Sequence, residues 1–231
     1  MKIIKEYWLD FIELLYPRTC KACKSALSKN EDWICTNCII DMPKSDYWLD
    51  SENIVNQIFW GKTKIEFASA FLLFSKASRY RKLIHSLKYK NDQESGIQLG
   101  RLYGQEISKK SQYPLIDYII PVPLHPKKQK KRGYNQSDCI AQGLSETTKI
   151  PYLNNVLIRT VNTETQTKKH KDERWQNVSG VFDLINTETV EGKSILLVDD
   201  VITTGATIEH CAKVFNEKAN CRVSIGCLAR A

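Results

Sequence analysis

Two adjacent carboxylates, Asp199 and Asp200, follow the apolar run Ile195-Leu196-Leu197-Val198 and precede Val201-Ile202-Thr203-Thr204-Gly205-Ala206-Thr207. A short unbroken apolar run suits a strand buried on both faces, and carboxylates at its end sit where the ligand crevice of an α/β sheet opens. Ile208, Cys211, Ala212 and Phe215 then recur at helical spacing. Gly205 permits a tight turn into that helix. The backbone amides around Ala206 and the hydroxyls of Thr203, Thr204 and Thr207 would then converge as donors on an anion. The carboxylates would repel the same anion, but they can accept hydrogen bonds from vicinal hydroxyls or hold a hydrated magnesium. A pentose carrying a phosphate meets both requirements, with Val198 and Val201 flanking the acid pair. A Walker B strand is the rival reading, but Gly192-Lys193-Ser194 has Thr187 where the leading glycine should stand, and it precedes this strand instead of following an earlier one. A plain strand, loop and helix with solvated carboxylates is the other alternative.

A second constellation lies near the N-terminus. Cys20-Lys21-Ala22-Cys23 and Cys35-Thr36-Asn37-Cys38 are two C-x2-C knuckles with eleven residues between them. Two such knuckles present four thiolates to one tetrahedral ion and leave no open position for water, so the spacing predicts a structural zinc ribbon on Cys20, Cys23, Cys35 and Cys38. A disulfide pair or a redox dithiol would need an oxidising compartment or a single knuckle opening a helix after a strand. The other four cysteines, Cys139, Cys211, Cys221 and Cys227, fall in apolar segments and read as reduced core residues. His85, His125, His170 and His210 offer neither metal spacing nor a catalytic triad.

These two groups need elements to hold them. The 231 residues suffice for one α/β domain plus a small module, divided here as 1–60 and 61–231. In the first part Ile4, Trp8, Phe11, Ile12 and Leu15 make an amphipathic helix, which Lys5, Glu6, Asp10 and Glu13 bar from being a signal core or a membrane span. In the second part strands are expected at 67–74, 117–123, 156–159, 194–199 and 222–229, with helices at 80–89, 96–107 and 134–146. Strand and helix alternate, which predicts a doubly wound, mostly parallel sheet. The net charge of +8 favours anionic partners, either nucleic acid or a phosphorylated substrate. With no secretion signal, the expected compartment is the cytoplasm.

The segment around Asp199 and Asp200 resembles the 5-phosphoribosyl-1-pyrophosphate (PRPP) motif of type I phosphoribosyltransferases. Further stretches narrow the likeness: Asp117-Tyr118-Ile119-Ile120-Pro121-Val122-Pro123-Leu124-His125, Lys131-Arg132-Gly133-Tyr134-Asn135-Gln136, Ser86-Leu87-Lys88-Tyr89, Arg159-Thr160 and Gly180-x-Phe182. Together with the ribbon, they resemble the ComF branch of that superfamily over nearly the whole chain. The resemblance implies a fold of the type I phosphoribosyltransferase kind and a phosphoribosyl ligand bound with Mg2+. It places Pro123, Leu124 and His125 in the loop that receives pyrophosphate, with Arg132, Asn135 and Gln136 beside it. A glycine turn and helix start after Arg132 would fix its guanidinium for bidentate phosphate contact. Lys127, Lys128, Lys130 and Lys131 either add charge there or face water. Residues 161–178 would form a mobile loop or hairpin closing over the site, with Thr165, Gln166, Arg174 and Asn177 as its working residues.

Two functions follow from the resemblance. One is handling of single-stranded DNA during uptake in natural transformation, alongside DNA-uptake proteins. The other is transfer of phosphoribose to an acceptor with release of pyrophosphate, for which the chain displays no acceptor pocket. In the ribbon, Lys21, Lys24, Lys29 and Trp33 are the residues that would meet phosphates and stack on bases, if the ribbon does more than cap the domain.

Overall fold

The computed structural model describes residues 15–73, 78–89, 92–109, 114–160 and 181–230. Along these the helices are α1 (Thr36–Ile40), α2 (Arg79–Tyr89), α3 (Gln93–Ser108), α4 (Pro126–Arg132), α5 (Gln136–Thr148) and α6 (Ala206–Ala219). The strands are β1 (Phe67–Leu73), β2 (Tyr118–Pro121), β3 (Leu157–Arg159), β4 (Phe182–Leu184), β5 (Ser194–Ile202) and β6 (Arg222–Arg230). None of these helices is long and apolar enough to cross a membrane. The expected helix on Ile4 to Leu15 and the working residues Thr165, Gln166, Arg174 and Asn177 lie outside or at the margin of the described residues.

The near-continuous apolar runs of β1, β5 and β6 force a sheet covered on both faces, since neither face can be left to water. The strands are all parallel, in the order β1-β6-β5-β2. Successive residues of β5 feed opposite layers. Leu196 and Val198 join Leu83, Leu87, Leu99, Tyr103 and Leu144 of α2, α3 and α5. Ile195 and Leu197 join Ile208, Cys211, Ala212 and Phe215 of α6. A doubly wound, parallel α/β sheet results, as the alternation of elements predicts.

α3 and α5 pack closely because Gly143 has no side chain: a Cβ there would lie 2.0 Å from the Ile97 carbonyl oxygen. The cysteine module is fused to the same layer. Cys20, Ala22, Trp33, Ile34 and Cys38 share one apolar cluster with α2 and α3. The segment after it lies along β1: the Ser45 N–H donates to the Phe71 carbonyl at 2.8 Å, and the Leu73 N–H to Pro43 at 2.8 Å.

Two expectations need correction. The strand at 156–159 does not extend the main sheet; β3 pairs antiparallel with β4 in a separate two-stranded sheet. Val156 and Leu157 cover the α6-side core together with Phe182 and Leu184 of the returning chain. The basic stretch 127–132, whose run of charge reads on its own as a solvated loop, is helix α4. His125 caps it, its Nδ1 accepting from the Lys127 N–H at 3.1 Å, Pro126 opens it, and Gly133 at φ 80° ends it.

Candidate functional site

β5 outruns one neighbour. β2 stays beside it only as far as Pro121 opposite Val198, whereas β6 continues past Asp199 opposite Cys227 to Ile202 opposite Arg230. Among the described residues, the acid pair therefore lies where β5 has lost its β2 neighbour, the place at which an open parallel sheet takes ligands. The alternation that separates Leu196 from Leu197 also turns Asp199 and Asp200 to different partners.

The Asp199 Oδ1 accepts from the Ser137 hydroxyl at 3.0 Å and from the Asp200 N–H at 2.8 Å. Asp200 is buried, and its Oδ2 meets the Lys88 ammonium at 2.9 Å while Oδ1 accepts from the Val201 N–H at 2.6 Å. Burial, and then the neighbouring Asp200 carboxylate, push the Asp199 carboxyl well above the ordinary carboxylate range.

Asp199, Val201 and residues 202–208 line one cleft that is open to solvent, and Asp200 is not among its lining residues. Its turn depends on Gly205, which has φ 78° and caps α6. A Cβ at Gly205 would sit 2.7 Å from Ile58 Cγ2 and 3.2 Å from the Phe59 ring, so the short helix Asn56–Phe59 forms the floor under the turn. Thr203, Thr204, Ala206 and Thr207 are exposed. Among the described residues, the Ala206 N–H has only the Thr204 hydroxyl near it, at a long 3.5 Å. The donors of this turn thus face the cleft mouth, unspent on the fold.

The loop between β2 and α5 is divided in its duties. Pro123, Leu124 and His125 are half-buried at the end of β2, with the His125 Nδ1 engaged in capping α4. Arg132 Nη1 donates to Gln136 Oε1 at 2.6 Å. Asn135 is spent on the fold: its amide donates to the Val122 carbonyl at 3.0 Å, and its Oδ1 accepts from the Ser137 N–H at 3.3 Å. Gln136 is buried, with its Nε2 lacking a protein partner. Sequence reasoning assigned no role to Lys88, Ser137, Ile58 or Phe59. Lys88 lay in a quoted motif and Ser137 in the helix expected at 134–146, but only the fold brings them to a dyad more than sixty positions away. The floor residues left no local signal.

At the other end of α2, the sulfurs of Cys20, Cys23, Cys35 and Cys38 all lie within 4.8 Å of one another. Cys23 and Cys35 are 3.7 Å apart. A tetrahedron of thiolates about a metal with bonds of about 2.3 Å has edges of about 3.8 Å, whereas a disulfide is bonded at about 2.05 Å. The cluster therefore fits a four-thiolate metal ion and not a disulfide. The N–H groups of Cys23 and Cys35 point at Cys20 Sγ, at 3.5 and 3.3 Å, the kind of support that settles a charged sulfur. α2 closes the shell: Arg79 Nη1 lies 3.6 Å from Cys38 Sγ, and the Tyr80 hydroxyl donates to the Cys38 carbonyl at 2.7 Å.

The proposed stacking residue Trp33 is not available to a partner. It is buried, and its Nε1 donates to the Ser95 hydroxyl at 2.8 Å, because the ribbon needs an apolar face to dock on α3. Lys21 is paired with Asp92 at 3.1 Å.

Comparison with known proteins agrees with this arrangement. A family model described as "Phosphoribosyl transferase domain" matches residues 130–231. Competence protein F of Haemophilus influenzae is 35% identical over 64% of this chain and 67% of its own length. DNA utilization protein YhgH of Salmonella typhi is 32% identical over 64% of this chain and 66% of its own. Competence protein ComFC of Bacillus subtilis is 30% identical over 87% of this chain and 79% of its own. The first two matches thus span about two thirds of those relatives. On these matches, on the phosphoribosyl transferase domain and on the N-terminal four-cysteine cluster, the chain belongs to the competence protein F/ComFC family.

Proposed function

We propose that the crevice beside β5 binds PRPP or a related phosphoribosyl ligand with Mg2+, and that this cytoplasmic protein uses the site in handling single-stranded DNA during DNA uptake in natural transformation. One observation carries the ligand reading: Asp199 and the 203–207 turn line a single cleft, with Asp200 buried next to Asp199 and paired with Lys88. Thr203, Thr204, Thr207 and the amides opening α6 take the 5-phosphate. Asp199 and Asp200 take the ribose hydroxyls. Pro123, Leu124, His125 and Arg132 face the pyrophosphate, with Asn135 and Gln136 shaping their loop. The hard oxygen donors of the acid pair fit a magnesium ion that keeps most of its water and arrives on the ligand's phosphates, where it neutralises their charge. The four cysteines would hold zinc in a structural role, in a module of residues 1–60 beside a phosphoribosyltransferase-like domain of residues 61–231.

The DNA part of the reading rests on the relatives' names and on the net charge of +8. A calorimetric titration with PRPP and Mg2+, followed by a single-stranded oligonucleotide on the same sample, tests both halves. Saturable PRPP binding that requires Mg2+, and DNA binding that weakens steeply with added salt, are expected. Heat from neither ligand would remove the reading.

A second reading is turnover, with pyrophosphate displaced from ribose C1 by an unidentified acceptor. It is favoured by Asp199, whose carboxyl is held above the carboxylate range inside a cleft, as acid-base groups in active sites are. As positive charge develops on the ribose, the acid pair would stabilise it. Release of pyrophosphate in the presence of candidate amines and bases separates turnover from binding alone.

A further inference from the structure

Lys88 is the one cation whose ammonium reaches the acid pair among the ion pairs of the described residues, at 2.9 Å from Asp200 Oδ2. Its place is not that of a loose surface lysine. Its side chain is 27% exposed and that of Asp200 11%, so both charges are largely out of water. The backbone that carries it is fixed on two sides: the Tyr134 hydroxyl donates to the carbonyl of Leu87, and the start of the same helix is tied to Cys38 through Arg79 and Tyr80. Lys88 also lies in the last turn of α2, where the helix end favours a positive charge.

We propose that Lys88 is a positioning residue that acts as the resident counter-ion of the acid pair: it orients Asp200 and keeps a bare divalent cation out of the crevice, so that the metal enters only with a phosphorylated ligand. The inference deepens the phosphoribosyl reading and rests on it. Two adjacent carboxylates beside an open cleft would otherwise attract a divalent ion on their own, and an ion held that way would sit where the ribose hydroxyls must bind. An ammonium at one carboxylate lowers that attraction at its source. A ligand that brings phosphates as well as hydroxyls adds anchors at the 203–207 turn and can share Asp200 with Lys88, because a carboxylate offers about four lone-pair sites and Lys88 and the Val201 N–H occupy only part of them.

The test is Mn2+ binding to the full-length protein without ligand, read by the loss of the free-ion electron paramagnetic signal, alongside ribose 5-phosphate binding by calorimetry. Wild-type protein should hold Mn2+ weakly at this site. Lys88→Met should bind Mn2+ about tenfold more tightly or better, as removal of a neighbouring positive charge requires. Lys88→Arg should restore the wild-type behaviour, and Asp200→Asn on top of Lys88→Met should erase the gain. Lys88→Gln serves as the second uncharged variant, with circular dichroism showing which variants are folded. Folded Lys88→Met or Lys88→Gln protein that binds Mn2+ no more tightly than wild type overturns the proposal, as does Lys88→Arg behaving like Lys88→Met. Absence of ribose 5-phosphate binding in wild-type protein would instead strike the phosphoribosyl reading, and the Mn2+ comparison would still decide the role of Lys88.

Discussion

The four-cysteine cluster and the acid-pair crevice stand at opposite ends of α2 and solve opposite problems. At the cluster, each sulfur already points at the others, the surrounding N–H groups serve them, and Cys20 and Cys38 are fully buried. At the crevice, Thr203, Thr204, Ala206 and Thr207 of the turn are exposed and, among the described residues, no strand pairs with β5 on the β2 side beyond Val198. A site that turns all its polar groups inward contributes to folding, whereas one that leaves them unspent has kept them for a ligand. The difference supports the proposal that the cluster is a structural centre and the crevice a ligand site.

The comparison can be strained from both ends. The largest effect belongs to the cluster. Cys38→Ser should abolish stoichiometric metal in the purified protein and lower the melting temperature sharply, because thiolate metal sites carry on the order of 10 kcal/mol of binding energy. The loss should extend into α2, where hydrogen exchange at 79–83 rises, since Cys38 holds Arg79 and Tyr80. Metal analysis and exchange measurements check it.

At the crevice, Gly205→Ala should cost about 2 kcal/mol of stability, combining a left-handed backbone with a methyl pressed on Ile58. It should also weaken ribose 5-phosphate binding, because the turn must shift. Denaturant melts and titration read the two effects separately.

A gentler effect concerns Asp138, in the first turn of α5, whose carboxyl burial pushes up to about 6. The folded state binds its proton more tightly than the unfolded chain does, so stability should fall as pH rises from about 4 to about 6 and stay low above that. Asp138→Asn should flatten this slope and stabilise the protein by about 1–2 kcal/mol at pH 8, after allowance for solvent at a partly exposed group. Smallest of all is Lys21→Met. The Lys21 side chain is nearly half exposed, so breaking its pair with Asp92 should change stability by less than about 1 kcal/mol.

Much of the architecture was legible because apolar runs and helical spacing are local signals. β1, β5, β6 and α6 stand within a few residues of their expected places, and the C-x2-C spacing gave the cluster that the fold then closes. What escaped was non-local or contextual. The sequence of β3 cannot tell a strand of the main sheet from one that pairs with β4, since three residues carry too little pattern. The run of lysines in α4 reads as a solvated loop until His125, Pro126 and Gly133 are seen as its caps. Trp33 looks like a stacking residue in isolation, and only its docking against Ser95 shows that it belongs to the core. Lys88 and Ser137 reach the acid pair through tertiary packing alone.

The most direct test of the central claim is a heteronuclear NMR titration of the full-length protein with ribose 5-phosphate and Mg2+, with backbone amides assigned. The account predicts saturable shifts confined to two groups that move together: Asp199 to Val201 in β5 and Thr203 to Ile208 at the turn. Saturation that moves the turn but leaves the acid pair unmoved, or shifts clustered on the cysteine module instead, would contradict it.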